Sequence, residues 1–245
     1  PDSQIEFCGT EHGLESELVP AAGYKMHVIR ASGFPTRLSK KAIRAILDLR
    51  DGRKTCRRII RDFKPDIVIG TGGYVCGPLM LAAKKERVPI LLHEQNAFPG
   101  RANRMMSKWA HTVCTGFPDM DQFFKKSKHV CYTGNPVRVS FLDVTSTQAR
   151  EALRVGDEFY VFAMGGSLGS AQINKAVIGL DQFPELSGIR IVLSAGKQQF
   201  NLFKAQSEDK NIRIDVREYV ADAHLYMAAA DLIICRAGAI TCAEV

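Results

Sequence analysis

Four short stretches hold residue types whose spacing could do chemistry. The first is Gly165-Gly166-Ser167-Leu168-Gly169, which follows the apolar run 159–163 and precedes a helical pattern with Ile173, Ala176 and Val177. A strand, a glycine turn and a helix in that order leave backbone N–H groups unpaired at the positive end of a helix dipole. Glycine lets a ligand approach the backbone and lets φ go positive, and Ser167 adds a hydroxyl donor. Such a turn suits a phosphate or diphosphate; a tight turn with no ligand fits the same residues. The second stretch is Arg236-x-Gly238-x-x-Thr241-x-x-Glu244. Thr241 and Glu244 share one helix face, and a carboxylate accepting from two adjacent hydroxyls would hold a ribose. Thr-x-x-Glu is also a capping box, and both readings stand.

The third stretch is His93-Glu94-Gln95-Asn96, four polar residues after the apolar run 88–92 and before Pro99-Gly100. The fourth is the second glycine turn, residues 70–78, with Gly72, Gly73, Tyr74 and Gly77 leading into a helix at 79–86. Ligands of open parallel sheets sit outside the carboxyl ends of the strands, and all four stretches follow such ends.

The elements that position them alternate along the chain. Strands are expected at 4–8, 25–29, 67–70, 88–92, 112–115, 129–133, 159–163, 190–194, 212–216 and 232–235. Helices are expected between them, the longest over 40–63. Alternation of this kind predicts an α/β fold with parallel sheets. A turn at Gly134-Asn135-Pro136-Val137-Arg138 and the irregular 140–147 stretch divide the chain into 1–141 and 142–245. The first strand begins almost at residue 1 and the last helix has barely started at Val245, so units are expected to be missing at both ends.

Bulk properties narrow the classes. With 46% apolar and 24% charged residues, the chain has a globular composition and no apolar run near the ~18 residues of a membrane span. No signal-peptide pattern opens it. Its seven cysteines are scattered, without zinc spacing, and read as reduced core residues of a cytosolic protein. Eleven basic residues against three acidic ones lie between Arg37 and Lys64, a segment charge of +8 against +7 for the whole chain. On the 40–63 helix, Ile43, Ile46, Leu47, Cys56, Ile59, Ile60 and Phe63 recur at helical spacing, with the basic residues mainly opposite. That face is either simply solvated or attracted to an anionic membrane. Nucleic acid ranks last because few aromatics interleave with the charges.

Taken together, Gly72-Gly73-Tyr74-Val75 with Gly77-Pro78, His93-Glu94-Gln95-Asn96, Gly134-Asn135-Pro136-Val137-Arg138, Gly165-Gly166-Ser167-x-Gly169 and Arg236-x-Gly238-Ala239-x-Thr241-x-x-Glu244 resemble the MurG family in order and spacing, from end to end. These bacterial transferases add N-acetylglucosamine from UDP-N-acetylglucosamine (UDP-GlcNAc) to the lipid-linked muramyl pentapeptide, lipid I, giving lipid II. The resemblance implies a GT-B fold, two Rossmann-like domains with the active site in the cleft between them. It implies an acceptor domain over 1–141 and a UDP-GlcNAc domain over 142–245. The donor would meet Gly166, Ser167, Asn96, Arg138, the backbone at Val220, and the helix start at Ala239, Ile240, Thr241, Cys242 and Ala243, with Glu244 on the ribose. Gly72, Gly73, Tyr74 and Gly77 would face the acceptor, and His93 and Glu94 are the catalytic candidates within the chain. The family's favoured general base, on an earlier Gly-Gly-His loop, would precede residue 1. Its later Gln and Asn donor contacts would follow Val245, and Leu168 and Ser170 stand where Gln and Ala are common.

The implied reaction is displacement with inversion: the muramyl 4-hydroxyl attacks the anomeric carbon, through an oxocarbenium-like transition state, and UDP leaves. No cofactor is implied, and no acidic cluster suits a divalent metal. The implied location is the cytoplasmic face of the bacterial inner membrane, held peripherally by the basic helix and Phe34, in peptidoglycan synthesis and hence cell shape and division. Three alternatives remain. A UDP-GlcNAc 2-epimerase would need more acid–base residues around the sugar. An NAD-dependent oxidoreductase would need G-x-G-x-x-G with a later acid, which neither turn spells. A non-catalytic nucleotide-sugar-binding fragment is the third.

Overall fold

Strands and helices alternate along the whole chain in this computed structural model, which describes residues 3–33, 40–166, 169–208 and 212–245. The expectations for Phe34, Ser167 and Leu168 lie outside the described residues. Contacts divide the chain into a first unit, Pro1–Asn135, and a second, Pro136–Val245. The division falls upstream of the 141/142 boundary expected from composition. Phe141, in a 3₁₀ turn, sits edge-on to His224 at 5.8 Å and packs on the second unit's core.

The first unit contains strands β1 (Glu6–Gly9), β2 (Lys25–Val28), β3 (Val68–Gly70), β4 (Ile90–Glu94), β5 (Thr112–Thr115) and β6 (His129–Tyr132), with helices α1 (Glu15–Ala21), α2 (Lys40–Phe63), α3 (Cys76–Glu86) and α4 (Arg101–Met106). β1 and β2 form a parallel pair, and β3-β4-β5-β6 form a parallel sheet in sequence order. Buried Cys56, Ile60, Met80, Ile90, Leu92, Val113 and Phe124 join α2, α3 and the sheet into one core.

β4 begins two residues later than expected. Arg87 closes α3 in the left-handed conformation, and the N–H of Val88 bonds back to Ala83. Residues 87 and 88 therefore end a helix, as αL caps do, and His93 and Glu94 become the last residues of the strand. α2 also departs from its expected apolar face. Cys56 and Ile60 are buried, but Ile43, Ile46 and Leu47 are 63%, 57% and 55% exposed. The inward face runs through Ala45, Gly52, Cys56 and Ile60 instead. A Cβ on Gly52 would stand 2.1 Å from the Arg30 carbonyl, so a helix-interior glycine is kept for close approach.

The second unit contains β7 (Phe159–Met164), β8 (Ile189–Ser194), β9 (Arg213–Arg217) and β10 (Leu232–Cys235), with helices α5 (Ser146–Leu153), α6 (Ala171–Gly179), α7 (Phe200–Ser207), α8 (Ala223–Ala229) and α9 (Thr241–Glu244). Its parallel sheet has the order β10-β7-β8-β9. Tyr160 and Phe162 join the cluster of α5 and α8, while Val161 and Ala163 join that of α6 and α7. The central strand is thus covered on both faces, which is why it reads as a continuous apolar run. α5 starts on a capping box, Thr145 with Gln148.

Candidate active site

The strand order of the second unit creates a switch point. From β7 the chain winds through β8 to β9 on one side, then returns to place β10 on the other side of β7. Helices on either side of such a point diverge, and ligands bind in the crevice outside the strand ends. A cleft of about 360 Å³ lies there, lined by Gly165 and Gly166 after β7 and by Arg236, Ala237, Gly238 and Thr241 after β10. The glycine turn is folded too tightly for other residues. A Cβ on Gly165 would meet the Ser170 nitrogen at 2.2 Å, and one on Gly169, whose φ is +74°, would meet the Ala195 carbonyl at 2.0 Å. Buried Asn174 donates to that carbonyl at 2.9 Å and to Gln199 at 3.2 Å, latching the turn to the loop after β8. Ser170 caps α6 without a side-chain hydrogen bond. The helix's own ladder begins at the N–H of Asn174 on the Ser170 carbonyl, and earlier first-turn N–H groups have no intrahelical acceptor. The turn therefore offers donors to an anion, with the exposed Arg236 guanidinium across the cleft.

α9 removes one reading of Thr-x-x-Glu, the capping box. Its N-cap is Ile240, with no side-chain cap, and Thr241 is the first helical residue. The capping box therefore does not form, and Thr241 faces the cleft. Cys242 and Ala243 are exposed and Glu244 is half-buried. Val220 is 7% exposed, its side chain in the core and its backbone in the loop after β9. Arg138 is exposed and lies 4.9 Å over the Phe141 ring.

The carboxyl ends of the first unit's strands are stitched to one another. Glu94 is 1% exposed. Its Oε1 accepts from the backbone and side-chain nitrogens of Asn96, at 3.1 and 3.0 Å, and its Oε2 from Gly100 N and Asn103 Nδ2, both at 2.9 Å. Four donors on a buried carboxylate leave it no lone pair for proton abstraction. The carboxylate holds the 94–103 loop and also engages the side-chain amide of Asn96. His93 Nε2 donates to the Gly134 carbonyl at 3.0 Å, which fixes the ring's orientation. Gln95 donates to the Thr71 carbonyl at 3.0 Å, and Asn135 to the Gln95 carbonyl at 3.1 Å. Gly72 and Gly73 have φ of +98° and +74°, so the turn after β3 depends on them. Tyr74 is 50% exposed, and Gly77 lies in the first turn of α3.

Comparison with known proteins places this geometry. Residues 2–115 match the glycosyltransferase family 28 N-terminal domain, and residues 160–245 match the glycosyltransferase family 28 C-terminal domain. The chain belongs to glycosyltransferase family 28. A relative from Acetivibrio thermocellus, named UDP-N-acetylglucosamine–N-acetylmuramyl-(pentapeptide) pyrophosphoryl-undecaprenol N-acetylglucosamine transferase, is 40% identical over 100% of this chain and 67% of its own length. The crystal structure of MurG from Acinetobacter baumannii superposes with a TM-score of 0.72 at 29% identity, over 99% of this chain and 67% of that one. A UDP-GlcNAc 2-epimerase from Neisseria meningitidis, solved with UDP-GlcNAc bound, gives 0.63 at 16% identity, over 96% and 70% of the two chains. That last likeness is one of fold alone. The GT-B fold expected from the sequence is thereby shown, with parallel sheets and α/β alternation in each unit.

Within that family-28 frame, residue types alone did not single out Arg236. Its signal was present, as the first residue of the Arg-x-Gly-x-x-Thr motif directly after a strand. Only the pairing of β10 with β7 puts it opposite the glycine turn.

Proposed function

We propose that this chain is an inverting transferase that moves N-acetylglucosamine from UDP-GlcNAc to the muramyl 4-hydroxyl of undecaprenyl-pyrophosphoryl-muramyl pentapeptide. One observation carries the reading: the cleft at the β7/β10 switch point brings a glycine turn, a cation and the Thr241–Glu244 helix start into one site in the second unit. The turn's N–H groups and Arg236 take the diphosphate, Glu244 takes the ribose hydroxyls, and the backbone near Val220 takes the base. Charge grows on the diphosphate as the anomeric bond breaks. Donors already fixed there stabilise the transition state without reorganising. Arg138 adds a further donor contact in the same unit. Gly72, Gly73, Tyr74 and Gly77 take the acceptor, with His93 and the Glu94-held loop positioning it.

The acceptor is a lipid, and α2 supplies the surface that meets its membrane. Ile43, Leu47, Arg50 and Lys54 follow at helical spacing on one exposed face, apolar at one end and basic at the other. Such a face suits an anionic leaflet, and the proposed location is peripheral, on the cytoplasmic side. No helix among the described residues is long and apolar enough to cross a membrane. Calorimetric titration tests the donor site. UDP-GlcNAc should bind, NADH should not, and Glu244→Ala should weaken binding by about 10- to 100-fold, one charge-assisted hydrogen bond's worth. NADH binding, or UDP-GlcNAc binding unchanged in Glu244→Ala, would refute it.

A further inference from the structure

Three residues form one row across the first unit's sheet. His93 registers with Cys114, and Cys114 with Cys131. Register partners on adjacent parallel strands point to the same face, with backbones about 4.8 Å apart. That spacing lies inside the roughly 4.4–6.8 Å window of Cα separations that a disulfide spans. Cys114 Sγ and Cys131 Sγ are 3.7 Å apart, and both thiols are free. β6 is an edge strand, paired on one side only, so it can move toward β5 without breaking another strand's ladder. Cys131 is exposed and Cys114 half-buried. Burial, then the contact with Cys131, raises the Cys114 thiol above its ordinary range. Among the described residues, no group of three or more His, Cys, Asp or Glu is arranged to hold a metal.

We propose that Cys114 and Cys131 are an oxidant-responsive dithiol, which a hydroperoxide converts to a disulfide bridging β5 and β6. The exposed Cys131 thiolate attacks a peroxide oxygen. The O–O bond breaks, leaving a sulfenic acid on Cys131 and, after protonation, water. The Cys114 thiolate then attacks the Cys131 sulfur; an S–S bond forms, the S–O bond breaks, and hydroxide leaves as water. Two thiols are oxidised and one hydrogen peroxide is reduced to two waters. Reversible pairs of this kind are the form disulfides take in reducing compartments. The sulfurs must close by about 1.7 Å to reach bond length. That draws in an edge strand that continues directly into Gly134, the acceptor of the His93 hydrogen bond. Oxidation is thereby transmitted to the His93 ring.

The test treats the 245-residue protein with equimolar hydrogen peroxide, alkylates remaining thiols and maps peptides by mass spectrometry without reduction. The expected product is one crosslink joining the Cys114 and Cys131 peptides, two hydrogens lighter. Dithiothreitol should reverse it, and Cys131→Ser and Cys114→Ser should lack it. Alkyl label on both cysteines after oxidation, a sulfinic acid on Cys131, or a different pairing would overturn the assignment. Proton–carbon NMR of His93, assigned with His93→Gln, reads the coupling. Its ring signal should shift on oxidation of the wild type and stay fixed in Cys131→Ser; a disulfide formed with no shift would refute the link to His93.

Discussion

Replacing Gly169 by alanine tests the glycine turn most sharply, because two other glycines nearby separate backbone strain from contact. Gly179 ends α6 at φ −69° with nothing near a Cβ, so Gly179→Ala should stabilise by about 0.5–1 kcal/mol through helix propensity. Gly166 has φ +86° and open space beside it, so Gly166→Ala should cost only the left-handed penalty of about 1–2 kcal/mol. At Gly169, φ is +74° and the added Cβ would stand 2.0 Å from the Ala195 oxygen and 2.8 Å from its carbon. Backbone on both sides cannot yield as a flexible side chain would. Either the turn or the loop after β8 must move by about 1 Å, which adds an overpacking cost of about 1–3 kcal/mol. Gly169→Ala should therefore lose about 2–5 kcal/mol in urea unfolding followed by circular dichroism. In calorimetric titration under folding conditions, a turn displaced by that much loses at least one N–H bond to the diphosphate. That bond is worth about 1.5–3 kcal/mol, or roughly 10- to 150-fold in UDP-GlcNAc affinity. A folded Gly169→Ala protein that binds UDP-GlcNAc as tightly as wild type would refute the placement of the diphosphate at this turn.

Three further outcomes are expected. Glu94→Gln replaces an acceptor of four N–H bonds with a group that brings donors of its own, so urea unfolding should show a loss of about 2–5 kcal/mol; a loss under 0.5 would mean the loop is held otherwise. Asp231 accepts from Tyr160 N at 2.8 Å and from Arg150 at 3.2 Å, which together hold its carboxyl below the ordinary 3.8. A carboxyl lowered on folding stabilises the protein above its ordinary value and loses that contribution as pH falls through the lowered one. The stability gap between wild type and Asp231→Asn should therefore be flat above about pH 5 and narrow below about pH 4; a gap that widens in acid contradicts the assignment. Reversing Arg50, Arg53 and Lys54 to Glu should abolish cosedimentation with phosphatidylserine vesicles, since each cation near the surface adds about 1 kcal/mol. Arg57 is a poor choice for that test because it pairs with Glu86 at 2.6 Å, and its loss would weaken the α2–α3 contact.

Most of the fold was legible because α/β chains punctuate themselves: apolar runs, glycine turns and amphipathic helices alternate with little ambiguity. The departures have local causes. β4 starts late because the chain spends residues 87 and 88 on closing α3. The apolar positions of α2 fit one helical period, yet the first half packs through Ala45 on a different face, so Ile43, Ile46 and Leu47 stay outside. Residue types marked the candidate site well where the backbone makes it, at Gly165, Gly166 and Gly169. They could not show the four donors on Glu94, since a carboxylate poised for chemistry and one saturated by hydrogen bonds have the same letter. Thr241–Glu244 was ambiguous until the helix start fell at Thr241 itself, one residue too early for Thr241 to cap it. Arg236 needed the strand order, which no local pattern carries.

The two rims differ in a way that bears on which substrate each receives. In the first unit, Gln95, Asn135, Asn103 and His93 spend side-chain donors on backbone carbonyls of neighbouring loops, and Glu94 absorbs four more. Such a rim has spent most of its side-chain donors, although the buried Oδ1 of Asn103 has no hydrogen-bond partner. In the second unit, the turn after β7 is rigid, held by Gly169 and Asn174 against Ala195. Its α6, however, starts without a side-chain cap, and Gly165, Gly166 and Arg236 line a cleft. Unmatched donors in a fixed frame are what a leaving diphosphate requires, because its charge grows during the reaction and a prealigned field costs nothing to orient. A hydroxyl nucleophile brings little charge and mainly needs to be held in place. This contrast supports the proposed assignment of the donor to the second unit, whose turn keeps hydrogen-bond donors unspent, and of the acceptor to the first.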